Sequence, residues 1–529
     1  MSRRTWHRAA RITAWFALGT SFFTACDGAD DDPTAESVGS AKASATAAGY
    51  AGAWVDVTAT SLGPSAEWTN NVEAADIDTD GDIDLLFANS GDQRYWTPVE
   101  NRVLLNRGDG TFVDATRQVF GRRVGTTRVI KVADVNADDV PDIIVGNIVS
   151  TRSRLYLGDG HGQWSDVTAS HLPAAEPSVG DLEVGDVDAD SDLDIVLADW
   201  GDGSPETNRG GRVTLWLNDG SGRYTDATAE QMPGINVRFS WDLELVDVDN
   251  DWDLDIATSC KMCSSSLLYE NDGAGSFADV SAHRMPHFTN NYEFEPLDLD
   301  ADGYLDLVTI NDGEVTDNGP AEHVFRNDQA GGYVDSTARW WPPAANTGWD
   351  DNVAVGLDVE SDGDVDFIVG SLDGPDRLLV NDGTGALTAD DDIFEGPRTL
   401  GTLGLVVADV NGDDRLDVVE AQGEAPGHMA ERLHLAGAQV PRDTAPPVVR
   451  AQLLDGSVVA RVHDNLTPNR PYEWRQVVVA GAGTARAMTW YGENLFRAVA
   501  PAVRRELEVC ATDAAGNRTC APVEQPQSR

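Results

Sequence analysis

The chain has 529 residues and a formal net charge of −51, from 89 acidic and 38 basic residues. This charge excludes nucleic acid as a partner, because affinity for nucleic acid rests on cationic contacts to phosphate. It also disfavours direct contact of the protein surface with anionic lipid headgroups.

Residues 1–25 are predicted to be a lipoprotein signal peptide. A basic segment (residues 3–11) precedes an apolar segment (residues 12–23) that is too short for a comfortable transmembrane helix. Residues 23–26 read FTAC, a small-residue site that ends in cysteine and resembles a bacterial lipobox. The resemblance implies secretion, cleavage before Cys26 and acylation of its thiol, and thus a lipid anchor in the bacterial cell envelope, periplasmic or at the cell surface. An ordinary signal peptide with a chance cysteine is the alternative.

Residues 26–49 are predicted to form a flexible tether. They are small and polar, so they cannot bury a core. Random-coil scaling gives this segment a reach of about 25 to 30 Å. The tether would hold the following domain near a membrane but clear of its surface.

Seven copies of a nine-residue acidic phrase follow between residues 76 and 417, spaced 51 to 61 residues apart. We number them loops 1 to 7. Each copy has oxygen-bearing side chains at positions 1, 3, 5 and 9. The predicted metal ligands are Asp76, Asp78, Asp80, Asp82 and Asp84 in loop 1; Asp134, Asn136, Asp138 and Asp142 in loop 2; Asp186, Asp188, Asp190 and Asp194 in loop 3; Asp247, Asp249, Asp251 and Asp255 in loop 4; Asp298, Asp300, Asp302 and Asp306 in loop 5; Asp358, Glu360, Asp362 and Asp366 in loop 6; and Asp409, Asn411, Asp413 and Asp417 in loop 7.

The spacing of these oxygens predicts Ca²⁺ binding, at up to seven sites. Alternate residues of a tightly turned loop point inward, so positions 1, 3 and 5 can surround one cation and position 9 can close its shell. Calcium accepts six to eight oxygens in irregular geometry, whereas magnesium requires a stricter octahedron. Acidic turns without metal are the alternative, since Asp and Asn are ordinary turn formers. In that case the carboxylates of each loop would repel one another strongly.

Position 6 of each loop is expected to turn with positive φ, which glycine tolerates best. Gly81, Gly303 and Gly363 fit this requirement. Loop 4 has the bulky Trp252 there, so we expect loop 4 to bind calcium most weakly.

The segments between the loops have a β pattern. Each loop leads into an apolar run such as DLLFAN, a second run such as RVLLNR, a turn such as NRGDGT and a short segment such as FVDAT. Asn, Asp and Gly at this density mark tight reversals between strands. Four strands in a unit of about 40 to 60 residues is the pattern of propeller blades. The sequence therefore predicts an all-β fold with a seven-bladed β-propeller over residues 50–442.

The seventh unit lacks its own fourth strand. Its last strand reads ERLHLAG (residues 431–437), whereas WVDVT (residues 54–58) has the fourth-strand pattern. We predict that this N-terminal segment completes the last blade, which closes the ring and removes exposed sheet edges.

The loop D-x-D-x-D-G-x-x-D followed by L-L-N-x-G-D-G-x-F-x-D-V-T resembles the FG-GAP or VCBS repeats of integrin-like β-propellers, over about three quarters of the chain. The repeat sequence is also similar to that of the propeller in the cartilage acidic protein group. The resemblance implies that the side chains at positions 1, 3, 5 and 9 are calcium ligands. It also implies that partners bind the face opposite the calcium loops.

Residues 443–529 are predicted to form a small β-sandwich of immunoglobulin or fibronectin type, from six or seven short strands. ATDAAGN (residues 511–517) resembles the closing strand and turn of bacterial Ig-like domains. Two disulfides are expected in an oxidising compartment, Cys260–Cys263 and Cys510–Cys520. A copper site formed by the first pair with His283, Met285 and His287 is the alternative for that pair.

Aromatic residues in or near the connections opposite the calcium loops are the predicted ligand-binding residues. Aromatic faces beside amide and carboxylate groups suit sugars or peptide side chains, so a protein or glycan ligand is expected. Packing between blades is the alternative. These residues are Trp96, Trp241, Tyr292 and Trp349.

Three positions before each loop lie residues that are expected to line a central channel. They are Glu73, Lys131, Glu183, Glu244, Glu295, Val355 and Val406.

The sequence predicts a binding or adhesion module with no enzymatic activity. It contains no HExxH, G-x-S-x-G or Walker phrase. A calcium-dependent polysaccharide lyase is the alternative, because some such lyases are propellers whose catalytic residues form no short motif.

Overall fold

The computed structural model describes the residues from 49 to 525 with internal gaps. The described ranges are 49–65, 67–91, 97–148, 151–175, 177–201, 209–311, 322–346, 348–396, 400–423, 430–464, 474–481, 483–501 and 506–525. Cys26, Trp96 and the predicted signal peptide lie outside them. Within these ranges, no helix has the length and apolarity needed to cross a membrane.

Strands dominate the described chain, as predicted. It opens with β1 (Trp54–Asp56) and α1 (Thr58–Ser61). Five further helices of four residues each follow the fourth strands of sheets 1 to 5 defined below. They are α2 (Thr116–Val119), α3 (Thr168–His171), α4 (Thr228–Gln231), α5 (Ser281–Arg284) and α6 (Thr337–Trp340).

Seven four-stranded antiparallel sheets lie between residues 54 and 436. Sheet 1 contains β2 (Thr69–Ala75), β3 (Asp84–Asn89), β4 (Arg102–Asn106) and β5 (Phe112–Asp114). Sheet 2 contains β6 (Thr127–Ala133), β7 (Asp142–Asn147), β8 (Arg154–Gly158) and β9 (Trp164–Asp166). Sheet 3 contains β10 (Val179–Gly185), β11 (Asp194–Asp199), β12 (Thr214–Asn218) and β13 (Tyr224–Asp226). Sheet 4 contains β14 (Leu243–Val246), β15 (Asp255–Thr258), β16 (Leu267–Asn271) and β17 (Phe277–Asp279).

The remaining three sheets of this array follow the same order. Sheet 5 contains β18 (Asn291–Leu297), β19 (Asp306–Asn311), β20 (His323–Asn327) and β21 (Tyr333–Asp335). Sheet 6 contains β22 (Asp351–Leu357), β23 (Asp366–Ser371), β24 (Arg377–Asn381) and β25 (Leu387–Asp390). Sheet 7 contains β26 (Thr402–Ala408), β27 (Asp417–Gln422), β28 (Arg432–Ala436) and the N-terminal β1.

The array of sheets closes on itself. The first strands of successive sheets contact one another, and β2 of sheet 1 also contacts β26 of sheet 7. β1 pairs antiparallel with β28, with Trp54 opposite Ala436 and Asp56 opposite His434. Trp54 is fully buried, and its Nε1 donates to the carbonyl of Leu416 at 2.8 Å. The predicted pairing of the N-terminal segment with residues 431–437 is confirmed.

An asparagine at the end of the third strand links neighbouring sheets. Asn106 Nδ2 donates at 2.8 Å to the carbonyl of Val410, the second residue of the loop in the preceding sheet. The same bond, also at 2.8 Å, recurs at Asn218, Asn271, Asn327 and Asn381. Apolar side chains fill the space between adjacent sheets, as for Val72, Leu85 and Phe87 of sheet 1 against Val406 and Val419 of sheet 7.

The C-terminal strands form two further four-stranded sheets, which we call the C-terminal module. They are β29 (Val448–Leu454), β30 (Ser457–His463), β31 (Trp474–Gly481), β32 (Thr484–Ala487), β33 (Thr489–Gly492), β34 (Leu495–Val499), β35 (Glu508–Asp513) and β36 (Arg518–Pro522). One sheet has the order β29-β30-β34-β33 and the other β32-β31-β35-β36. Val458, Val479 and Val509 belong to the core between them.

Two disulfides are present. Cys510 and Cys520 are direct partners on β35 and β36, so their disulfide staples this pair of strands. Cys260 and Cys263 are also bonded to each other. Met285 packs in an apolar cluster with Phe288 and Phe294.

Candidate metal centre

Each of the seven acidic loops connects the first and second strands of one sheet. Position 1 directly follows the first strand, and position 9 is the first residue of the second strand. All seven loops therefore lie at the same end of their sheets, which we call the loop face.

The aspartate at position 9 holds the loop to its sheet through both carboxylate oxygens. In loop 1, Asp84 Oδ2 accepts the amide of Ile77 at 3.0 Å and its Oδ1 accepts the amide of Asn106 at 2.8 Å. The other six loops repeat this pair of bonds, at 2.9–3.1 Å for Oδ2 and 2.7–2.9 Å for Oδ1. Position 9 thus has a role that the sequence did not predict, as a clamp between the loop and two strands.

The aspartate at position 1 organises the turn itself. In six loops its Oδ2 accepts the amide of position 6 at 2.7–3.1 Å. Position 6 has positive φ in all seven loops, from 60° at Asp414 to 98° at Gly81. The expected sharp turn is confirmed, and Trp252 adopts it at φ 75° despite its bulk.

Several of the predicted ligands converge. Oxygens of Asp76, Asp78 and Asp84 lie within 4.8 Å of one another, and those of Asp186, Asp188 and Asp194 do the same. In loops 4 and 5 the converging residues are those at positions 1, 3 and 5. These clusters consist only of carboxylate oxygens, the ligand type that calcium prefers.

Several buried oxygens in these loops have no hydrogen-bond partner, which is a second observation that favours a bound cation. Such an atom, Oδ1 in every case, is found in Asp78, Asp186, Asp249, Asp253, Asp298, Asp300 and Asn411, and thus in loop 4 as well. A buried acceptor without a partner is costly, and a bound cation would satisfy it. The residues present therefore fit a hard divalent cation.

The pKa values of the aspartates at position 9 also favour a bound cation. Burial, reinforced by neighbouring carboxylates, raises the pKa of Asp84 to about 8 and that of Asp142 to about 7. The same causes raise the pKa of Asp194 and of Asp306 to about 8. A cation would reverse this effect, because an opposite charge nearby favours the ionised carboxylate.

The first strands also enclose a polar cavity of about 110 Å³ along the centre of the array. Most of the predicted channel residues line it, namely Glu73, Lys131, Glu183, Glu244, Glu295 and Val355. Leu405 lines it beside Val406, which packs in the core instead. Lys131 forms an ion pair with Glu183.

Two of the predicted ligand-binding aromatics lie at the other end of this cavity from the loops. The rings of Trp241 and Tyr292 are 5.2 Å apart, and both residues line the cavity. The guanidinium of Arg128 lies 4.3 Å from the Trp241 centroid, and Lys261 Nζ lies 4.2 Å from that of Tyr292. The sequence did not single out these two cations. Trp349 is 39% exposed and lies against Gly374, near the start of sheet 6.

A family model described as an FG-GAP-like repeat matches residues 76–145 and 358–420. The chain therefore contains FG-GAP-like repeats, and the first match begins at loop 1 and the second at loop 6. No curated protein matches the chain in sequence.

Among solved structures, BBS1N, crystallised in complex with ARL6DN, is 13% identical with a TM-score of 0.44, covering 74% of this chain and 99% of that one. Sqt1 of Saccharomyces cerevisiae is 11% identical with a TM-score of 0.42, covering 74% and 100%. The V. cholerae biofilm matrix protein Bap1 is 12% identical with a TM-score of 0.35, covering 88% and 75%. At these scores the similarities carry no functional inference.

Proposed function

We propose that this protein is a calcium-stabilised binding module of the bacterial cell envelope. The observation that carries the calcium assignment is the repeated loop geometry, in which converging carboxylates leave buried oxygens without partners. In this proposal, Ca²⁺ joins positions 1, 3 and 5, while position 9 clamps the loop and closes the shell. The ion would supply positive charge where several buried carboxylates meet.

The proposed architecture is a seven-bladed β-propeller followed by an Ig-like β-sandwich. Seven sheets with the same strand order, closed by β1, support the propeller. The two packed sheets of the C-terminal module support the sandwich. Calcium in a filled loop would fix the first two strands of its blade relative to each other.

The proposed ligand-binding face is opposite the loop face, where Trp241 and Tyr292 lie at the mouth of the central cavity. Arg128 and Lys261 cover their rings there, so a ligand would meet cationic groups and aromatic edges rather than open ring faces. This arrangement supports a protein or glycan ligand. Lipidation of Cys26 would keep the module at the membrane.

Glycan and protein arrays probed in calcium and in EGTA test this proposal. Wild-type protein should bind a glycan or peptide on the array, and Lys261→Ala should weaken that binding while leaving the melting temperature unchanged. Arg117→Ala is the matched control, because it removes an exposed cation on α2, outside the Trp241–Tyr292 contact. Equal binding by wild type and Lys261→Ala contradicts the assigned site, and cleavage of a bound polysaccharide to an unsaturated product would establish a lyase instead.

The membrane anchor has its own test. Cys26→Ala should release the protein from the membrane fraction or block its processing, because acylation of that thiol is the proposed anchor. A processed, unlipidated Cys26→Ala chain that still sediments with membranes contradicts the anchor.

A further inference from the structure

The C-terminal module packs against the loop face over three consecutive loops. Arg450 on β29 and Arg461 on β30 are direct cross-strand partners, and Arg497 lies on the adjacent β34. Together they form a stripe of three arginines on one face of one sheet. Arg497 meets loop 3, Arg461 meets loop 4 and Arg450 meets loop 5.

At loops 3 and 5 the arginine adds to an intact turn. Arg497 Nη1 donates to Asp186 Oδ2 at 2.9 Å, and the amide of Ser191 still donates to that same oxygen at 3.1 Å. Arg450 Nη1 donates to the carbonyl of Asp302 at 2.8 Å, and its Nη2 lies 4.0 Å from Asp298 Oδ2. Oδ1 of each position-1 aspartate has no partner. A cation and an arginine can therefore use opposite oxygens of one carboxylate in these two loops.

Loop 4 is built differently. Arg461 Nη2 donates to Asp247 Oδ2 at 3.0 Å, in place of the position-6 amide that binds this oxygen in the other six loops. The amide of Asp251 donates to Asp247 Oδ1 at 3.1 Å, as the position-5 amide does in loops 1, 2, 6 and 7, so the guanidinium on Oδ2 is what distinguishes loop 4. The ion pair is deeply buried, with side-chain exposures of 3% for Arg461 and 0% for Asp247.

The C-terminal module also covers the outer surface of loop 4. Trp252 Nε1 donates to Gln452 Oε1 at 3.0 Å, and the hydroxyl of Tyr491 donates to the carbonyl of Trp252, also at 3.0 Å. The buried carboxylate of Glu493 accepts the amide of Asp247 at 3.1 Å. These bonds hold the loop in place without a metal.

A cation that entered loop 4 would have to share Asp247 with Arg461. The guanidinium is permanently charged, and its side chain is only 3% exposed. Two buried carboxylates, Asp247 and Glu493, lie beside this guanidinium, and displacing it would leave both without their counter-charge, which is strongly unfavourable. The remaining acidic residues of the loop, including Asp249 with its unpartnered Oδ1, stay available once the arginine charge is removed.

We propose that Arg461 is the resident cation of loop 4, so that calcium fills the other six loops and is excluded from this one. The inference rests on the calcium function proposed above. It assigns the C-terminal module a role in setting the number of calcium ions, through competition for Asp247.

Calcium counting by elemental analysis of the full chain, dialysed against calcium, tests the exclusion. Wild type should hold six ions, and Arg461→Met should hold seven. Arg497→Met is the matched control and should stay at six, because loop 3 keeps its position-6 bond and its free oxygen. Seven ions in wild type, or six in a folded Arg461→Met chain, overturn the inference but leave the calcium function intact. A wild-type count of zero overturns the calcium function itself.

A second measurement does not depend on the folding of the arginine variant. Trp252 is the only tryptophan within the seven loops, so it can sensitise the luminescence of Tb³⁺ bound in loop 4. With tryptophan excitation, wild type and Trp252→Phe should give the same Tb³⁺ emission. A clear loss of emission in Trp252→Phe would place an ion in loop 4 and overturn the inference.

Discussion

Loops 1 and 4 share the same acidic sequence pattern but lie in different surroundings. In loop 1, residues 79–81 are exposed and the turn is held by its own amides. In loop 4, Asp247 is fully buried and a residue from more than 200 positions away, Arg461, occupies its outer oxygen. The acidic residues of a loop therefore do not settle its chemistry, because the charge that balances the carboxylates can come from the C-terminal module.

Chelation should give the largest effect and should act mainly on loops that face solvent. Each filled site adds about 1 to 3 kcal/mol when calcium stands at about 10 to 100 times Kd. Removing calcium with EGTA should therefore lower the melting temperature strongly, as measured by calorimetry. Adding excess calcium should restore it, and adding the same ionic strength as sodium chloride should not. An unchanged melting temperature in protein shown to be metal-free contradicts the structural role of calcium.

The metal-free protein should show an inverted pH dependence that calcium abolishes. Burial holds the pKa of Asp84 and Asp194 at about 8, against about 3.9 in the unfolded chain. Between pH 4 and 8 the folded state thus binds more protons than the unfolded state, so stability falls as pH rises through this window. Melting temperatures in EGTA should decrease from pH 5 to pH 8. In saturating calcium the slope should flatten, and equal slopes with and without calcium contradict the prediction.

Neutralising the aspartate at position 1 should affect stability and calcium count differently in loop 4 and in loop 1. Asp247→Asn removes one of the two buried carboxylates beside Arg461 and leaves Glu493, which should cost about 3 kcal/mol and leave the calcium count unchanged. Asp76→Asn should remove one calcium ion and cost only about 1 to 3 kcal/mol. Denaturant unfolding together with elemental analysis distinguishes these outcomes. A lost ion in Asp247→Asn would mean that loop 4 resembles loop 1 after all.

A smaller effect distinguishes the covered loop 5 from loop 1. Gly81 and Gly303 occupy position 6 with φ of 98° and 91°, so alanine brings similar backbone strain of about 1 kcal/mol at both. A Cβ at Gly81 meets open space, whereas one at Gly303 would lie 1.2 Å from Arg450 Nη1. Gly303→Ala should therefore cost about 1 kcal/mol more than Gly81→Ala, by displacing the guanidinium from the carbonyl of Asp302. Equal costs in chemical denaturation would show that Arg450 adds nothing to loop 5.

Much of the fold was predictable from the sequence because it depends on short, repeated phrases. The loop spacing predicted where the first and second strands meet, and WVDVT predicted the partner of β28. The positive φ at position 6 followed from glycine in three of the seven copies. These features are local, so the residues of each copy predict its strands and its turn without reference to distant parts of the chain.

The contacts of the C-terminal module could not be predicted in the same way. Arg450, Arg461 and Arg497 are spaced irregularly in the sequence and form a stripe only because β30 pairs with both β29 and β34. Trp252 was singled out as strained, but its contacts with Gln452 and Tyr491 needed the structure. The asparagine that links neighbouring sheets occurs in segments such as LLN, but the sequence pattern predicts only a turn there and not a bond between sheets.

The seam at β1 also determines how a pull on the N-terminal segment is distributed. Tyr50 donates its amide to Asp390 Oδ2 at 2.6 Å, and Trp54 accepts the amide of Glu395 at 2.8 Å, so sheet 6 and the segment after it hold this stretch of chain. Gly437 donates its amide to Ala53 at 2.7 Å, so sheet 7 holds the same stretch. Tension entering at residue 50 is therefore divided between two sheets before it reaches the three residue pairs of the β1–β28 seam. When the protein is held by its N-terminal end, the hydrogen bonds of sheets 6 and 7 therefore protect the pairing of β1 with β28 that closes the array.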